Sequence, residues 1–202
     1  MVAEELTRLF LEEHKAIVKK VAEERGHPPR KYKKLEPRKI ERLFSTMRLD
    51  GLNLLDQAMK LLSGLIVSHA LPNANHRTSI FFVQFFLEEN GLRFPFYRGR
   101  RAWQRQWRLN INSYIRDSKY LLRLKYKPDE CAERYHQGKP MYIGGSKRVI
   151  RREDLGLSKR QYNRRHRQVT RDWLESMLQG QSTIYLKIPE DSLSRLIARS
   201  GR

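Results

Sequence analysis

The chain has 202 residues with 42 Lys+Arg against 22 Asp+Glu, a formal net charge of +20, and one cysteine. That length buries a sizeable core in one or two domains, and the lone Cys131 excludes a disulfide framework and a thiolate zinc site. No apolar run approaches the roughly 18 residues a membrane span needs, and Met1 to Glu5 lack the basic start and apolar stretch of a secretory signal, so a cytoplasmic protein off the membrane is expected.

Residues 3–25 read as an amphipathic helix, with Leu6, Leu9, Phe10, Ala16, Ile17 and Val21 on one side and Glu and Lys on the other. Gly26 to Pro29 break it, and the basic run Arg30 to Lys34 reads as loop. Pro37 suits the first turn of a short helix reaching about Met47. Asp50-Gly51 is a turn ahead of a long helix in which Leu55, Ala58, Leu62, Leu65 and His69 share one face. Ile80 to Leu87 form a second helix with almost no polar side, stopped by Asn90-Gly91, and Phe81 to Phe86 are core packing rather than a cofactor box. Leu92 to Tyr97 read as extended and 101–125 as helical. Lys127-Pro128, Gly138 to Pro140 and Gly144-Gly145 suggest a domain boundary. Gly144 to Lys147 is not a phosphate-binding P-loop, since the first glycine and its four-residue spacing are missing. Ser158 is a good cap for a helix to about Leu178, Ile184 to Ile188 is a strand candidate, and Pro189 to Ser192 open a last helix.

Between the two greasy helices lies His69 to Thr78, a short polar loop holding two His, two Asn and an Arg. Buried polar groups without partners cost about 1–3 kcal/mol each, so a ligand or a dense hydrogen-bond network is expected there. The loop delivers backbone N–H groups of about residues 74–78 to a helix N-terminus, a ready site for anions. Arg77 offers a planar fork matching phosphate oxygens, and His69 is a base for an attacking hydroxyl near neutral pH. Phosphoryl or nucleotidyl transfer needs these parts, usually with Mg2+. The blander alternative makes His69 a hydrogen-bonded core histidine and Arg77 a surface or capping arginine.

The order His69, Asn73, Ala74, Asn75, Arg77, Thr78 resembles the motif of the Fic/Doc family, closest to its Doc (death on curing) branch. The similarity covers about residues 1–120, with the ten-residue motif carrying the specificity. The resemblance implies an ATP-dependent transferase that moves a phosphate or an AMP group to a hydroxyl of a target, toxin-like and aimed at translation as Doc is at elongation factor Tu. It makes His69 the general base, gives the nucleotide to Asn73, Ala74, Asn75, His76, Arg77 and Thr78, puts Asn73 at the Mg2+ position, and suggests an antitoxin partner. The turn ahead of the helix into His69 would then supply the flap that aligns the target. Leu71 stands where the family has Phe, and His76 where it has Lys or Gly, which makes a phosphate contact there pH-dependent. Asn73 replaces the commoner acid, so the cation loses a charged ligand.

The charge is uneven. Residues 1–91 hold 15 Lys+Arg against 12 Asp+Glu, whereas 92–202 hold 27 against 10. Such asymmetry points to phosphates of RNA or DNA as the partner, against a merely solvated basic surface. Arg100, Arg101, Trp103, Arg105, Trp107 and Arg108 interleave rings with guanidinium groups, as Tyr162 does among Lys159, Arg160, Arg164, Arg165 and Arg167, a pattern suited to stacking on RNA. Trp103 and Trp107, four apart, equally form one buried helix face. The turn, basic helix and strand of this half are loosely similar to a winged-helix reader. The expected protein is mainly α: a Fic/Doc-like helical domain at 1–126 and a small basic α or α+β appendage at 127–202. The rival to a transferase is an inactive scaffold of the same shape that binds RNA or DNA.

Overall fold

The computed structural model describes residues 2–92, 101–179, 181, 185 and 192–200, apart from the side chains of 101–107, 192, 194, 199 and 200. The protein is mainly α, with eight helices and one two-stranded sheet among those residues. None of these helices is long and apolar enough to cross a membrane. The chain forms two compact units, one of Met1–Pro95 with Leu174–Arg202, the other of Phe96–Trp173.

In the first unit, α1 (Val2–Arg25) buries Leu6, Phe10, His14, Ile17 and Val21, a spacing of three and four that keeps them on one face. Helix α2 (Pro37–Thr46) starts on a proline, whose missing N–H would have lacked an intrahelical partner anyway. Helix α3 (Leu54–Ser68) is capped by Asn53, whose side chain accepts the Asp56 N–H at 2.8 Å. Helix α4 (Asn75–Glu89) inserts Phe82 where Phe10 meets it edge-on at 5.2 Å and Phe44 lies 5.9 Å away, so one ring joins α1, α2 and α4. Gly64 sits inside α3, where glycine costs about 1 kcal/mol relative to alanine. Its place is explained by α2, because a Cβ there would stand 3.1 Å from Leu43 Cδ1 and 3.2 Å from Met47 Cε. Far along the chain, α8 (Ser192–Ser200) packs against α1 and α4 with Leu196 fully buried.

In the second unit, α5 (Arg101–Tyr126) is followed by α6 (Pro128–His136), a hairpin of β1 (Met141–Ile143) and β2 (Ser146–Arg148), a 3-10 turn at Arg152–Asp154, and α7 (Lys159–Met177). The strands are antiparallel and pair Met141 with Arg148, Tyr142 with Lys147 and Ile143 with Ser146. Gly144 and Gly145 both have positive φ, which a two-residue hairpin turn of this hand demands. Tyr120, Leu121, Leu124, Cys131, Met141, Ile143, Ile150 and Tyr162 form the core. Ser158 and Gln161 cap α7 reciprocally: the Ser158 N–H donates to Gln161 Oε1 at 2.8 Å and the Gln161 N–H to Ser158 Oγ at 3.3 Å.

The division expected at 126/127 therefore falls inside the second unit. Lys127-Pro128 does end α5, but Pro128 also begins α6, which packs back on α5 through buried Cys131 and the Arg123–Glu130 ion pair. Gly144-Gly145 is a hairpin turn rather than a linker. The strand candidate at Ile184 to Ile188 and the extended stretch after Leu92 lie outside the described residues, apart from Tyr185.

Candidate functional site

Helix α3 stops at Ser68 because His69 turns into the left-handed region, φ 49° and ψ 42°, while its N–H still donates to Ile66 O at 3.1 Å. Helix α4 starts on Ala74, again left-handed at φ 49°. These are the two non-glycine residues with positive φ among the described residues, and they are the first and last of the six-residue turn between α3 and α4. Each costs about 1–3 kcal/mol, and such strain gathers at functional sites. Ala74 has no side chain to cap α4, so the N–H groups of Asn75, His76 and Arg77 gain no side-chain acceptor from it, and the first intrahelical bond runs from Thr78 N–H to Ala74 O at 2.9 Å.

Leu71, fully buried, plugs the turn from behind, filling the apolar slot expected of it. Asn73 and Asn75 are both buried, and each is oriented by its amide: Asn73 Nδ2 donates to Pro29 O at 2.8 Å, and Asn75 Nδ2 to Ile66 O at 3.1 Å. Because a carbonyl only accepts, these bonds fix which end of each amide is oxygen. Both Oδ1 atoms are buried and have no hydrogen-bond partner among the described residues. Two such oxygens in one turn are acceptors that a water or a ligand donor could satisfy. No group of three His, Cys, Asp or Glu that could hold a metal is present among the described residues, so a cation here would take Asn73 Oδ1 as a neutral oxygen and rely on other ligands.

The half-buried His69 ring lies 5.5 Å from the Tyr32 ring, centroid to centroid. Burial lowers its pKa below the ordinary imidazole value, helped by Lys33 and Lys39 and opposed by Glu36, which favours the neutral ring. Arg77 is partly exposed in the first turn of α4 and forms no ion pair with a described carboxylate. His76 is buried, as is Thr78, whose hydroxyl lies 3.2 Å from His14 Nδ1 on α1. The Thr78 side chain thus faces the core; its contribution at the loop is backbone.

The Arg30 to Lys34 run, read as loop, is non-helical and lies along the turn. Tyr32 N–H donates to Pro72 O at 3.1 Å, Glu36 N–H to Ala70 O at 3.0 Å, and Lys33 Nζ to His69 O, while Lys33 and Lys39 both pair with Glu36. This strap borders the turn. Its signal in the sequence was the bracket of Pro28, Pro29 and Pro37, which keeps α1 and α2 from running through it.

The second unit holds 22 Lys+Arg against 7 Asp+Glu. Among the expected nucleic-acid contacts, Lys159, Arg160, Arg164 and Arg167 are exposed on α7, and Arg108 is exposed on α5. Arg165 is not a free contact: it pairs with the buried carboxylate of Asp154, which also takes Tyr120 OH at 2.8 Å and Arg151 Nε at 3.0 Å. Tyr162 is buried and donates to Asp154 O at 2.7 Å, so it is no stacking platform. Arg100 and the side chains of Arg101, Trp103, Arg105 and Trp107 lie outside the described residues.

The chain belongs to a family of unknown function (DUF8172), matched over residues 3–192. No curated protein and no solved structure matches it.

Proposed function

We propose that the His69–Thr78 turn is a Fic/Doc-like transfer site, at which a phosphate or AMP group passes from ATP to a hydroxyl of a protein or RNA target. The observation that carries this reading is the pair of left-handed non-glycine residues, His69 and Ala74, around a turn with two orphaned buried amide oxygens. Strain and unpaired polar atoms both cost stability, which a bound ligand would offset.

His69, whose burial favours the neutral imidazole, takes the proton of the acceptor hydroxyl. The hydroxyl oxygen forms a new P–O bond as the bond to the leaving group breaks. Attack at the γ-phosphorus releases ADP, and attack at the α-phosphorus releases pyrophosphate. The N–H groups at the start of α4 and the Arg77 guanidinium hold the phosphate oxygens. Asn73 Oδ1 would be the protein oxygen for Mg2+, which would supply neutralisation of phosphate charge. The Tyr32–Glu36 strap closes one side of the turn and fixes the His69 carbonyl through Lys33.

The test is incubation with α- or γ-labelled ATP, Mg2+ and cell lysate, with His69→Ala as the control. Label transferred by the natural protein and lost in His69→Ala is the expected result, and the labelled phosphorus separates AMP transfer from phosphorylation. A toxin-like role predicts that the labelled band is a translation factor and that growth stops on expression unless an antitoxin is present. Absence of label with either nucleotide favours the rival, a Fic-like scaffold without catalysis that binds nucleic acid through its basic unit.

A further inference from the structure

The outer face of α7 carries Arg160, Arg164 and Arg167, spaced four and three apart so that they share one side of the helix. All three are exposed, as are neighbouring Lys159, Gln161 and Gln168, while Tyr162, His166, Thr170 and Trp173 on the opposite side are buried. Six of the seven acids of this unit are committed elsewhere, Glu133 by accepting the Gln137 amide at 2.9 Å. Asp117 pairs with Arg148, Glu130 with Arg123, Lys127 and Arg134, Glu153 with Arg151, and Asp154 with Arg151 and Arg165. Asp172, one turn beyond Gln168, accepts its amide at 2.7 Å. Lys159, Arg160, Arg164 and Arg167 have no ion pair with any described carboxylate.

We infer that this face of α7 seats the phosphodiester backbone of a double-stranded nucleic acid. Three guanidinium groups over about 10 Å of helix match a polyanion with one charge per roughly 1.7 Å of axis. A duplex is favoured over a single strand because binding to unpaired bases needs exposed rings, and the one aromatic of the Arg160–Arg167 segment, Tyr162, is buried against Asp154. The helix is also held as a rigid unit. Ser118 Oγ lies 2.7 Å from His166 Nε2, Tyr114 OH 3.0 Å from Thr170 Oγ1, and Lys125 Nζ donates to Asn163 at 2.8 Å, tying α7 to α5 along its inner side. Arg165 has a different task, since its guanidinium holds Asp154 and Glu153 O below the ridge.

The experiment is fluorescence anisotropy of the full chain with labelled duplex DNA, duplex RNA and a single strand of the same sequence, across a salt series. The expected result is duplex binding that weakens with salt. Changing Arg160, Arg164 and Arg167 together to Gln should lower the slope of log K against log salt by about 2 to 3 and reduce affinity at 0.1 M salt by about 100-fold or more. The triple change to Lys should restore most of the slope. The DNA and RNA arms identify which duplex is bound. An unchanged melting temperature in the triple Gln variant shows the fold is intact, whereas Arg165→Gln is expected to lower it. An unaltered slope in the triple variant overturns the inference. So does tighter binding of the single strand, or equal binding to vesicles of phosphatidylcholine and phosphatidylserine.

Discussion

At the scale of single residues, the site is defined by atoms that lack what they need. Asn73 Oδ1 and Asn75 Oδ1 are oriented by donation from their own amides and left without donors among the described residues. Asn73→Asp tests the cation reading directly. The carboxylate loses the donation to Pro29 O and buries a charge, so the variant without metal should melt below the natural protein. Millimolar Mg2+ should then raise its melting temperature by more than it raises that of the natural protein, because the cation offsets the buried charge. Equal shifts in both proteins, read by differential scanning fluorimetry, would remove Asn73 from any metal site. The identities of these residues were readable from the sequence. Their burial was not, and Thr78 shows the difference: it matches the motif, yet it points its hydroxyl at His14 because its place on the helix faces α1.

Between elements, the contact of α7 with α5 runs through a buried polar row. Ser118, His166, Thr170 and Tyr114 succeed one another at hydrogen-bond distance, and Tyr114 stacks on Trp173 with centroids 4.5 Å apart. Burial, reinforced by Lys125, holds the His166 pKa down at about 4. The unfolded chain protonates this histidine below about pH 6.5 while the folded chain does not. Its contribution is therefore intact above that pH and is lost as pH falls toward 4, by an amount of order 3 kcal/mol. Thermal melts between pH 7 and pH 4 should show a steeper loss for the natural protein than for His166→Gln. Parallel curves would mean that His166 is not what couples this contact to protons. Periodicity located α7 and its neighbours, since a 3.6-residue apolar stripe is a local property. It did not reveal which arginines stand free, because the partner of Arg165 lies eleven residues away on a 3-10 turn.

For the whole molecule, the first unit is completed by chain that comes last. Helix α8 returns to α1 and α4 and buries Leu196, a side chain whose burial is worth about 2 kcal/mol. A chain ending at Tyr126, where a sequence-based cut would be made, lacks that helix together with Leu174 and Leu178. It should melt lower than the full chain by about 10 °C or more, or fail to melt cooperatively, when followed by circular dichroism. A 1–126 fragment as stable as the full protein would show that α8 is dispensable to the first unit. The charge is also divided by unit rather than by half: 22 of the 42 basic residues but 7 of the 22 acids belong to Phe96–Trp173. Nucleic-acid binding and label transfer are accordingly expected to respond to separate sets of substitutions.

What this sequence determined alone was local. The ends of α1, α2, α3, α4, α5 and α7 follow from apolar spacing, prolines and capping residues, and a charge of +20 follows from counting. The loop from His69 to Thr78 stood out because polar groups between two apolar helices are costly wherever the helices lie. Tertiary structure decided everything that depends on residues distant in the chain. It laid Tyr32 and Glu36 along the turn, matched Arg165 with Asp154, turned Tyr162 inward, and brought α8 back to α4. Such pairings depend on which of many equivalent polar and apolar groups come together once the core closes, and residue spacing carries no record of that choice.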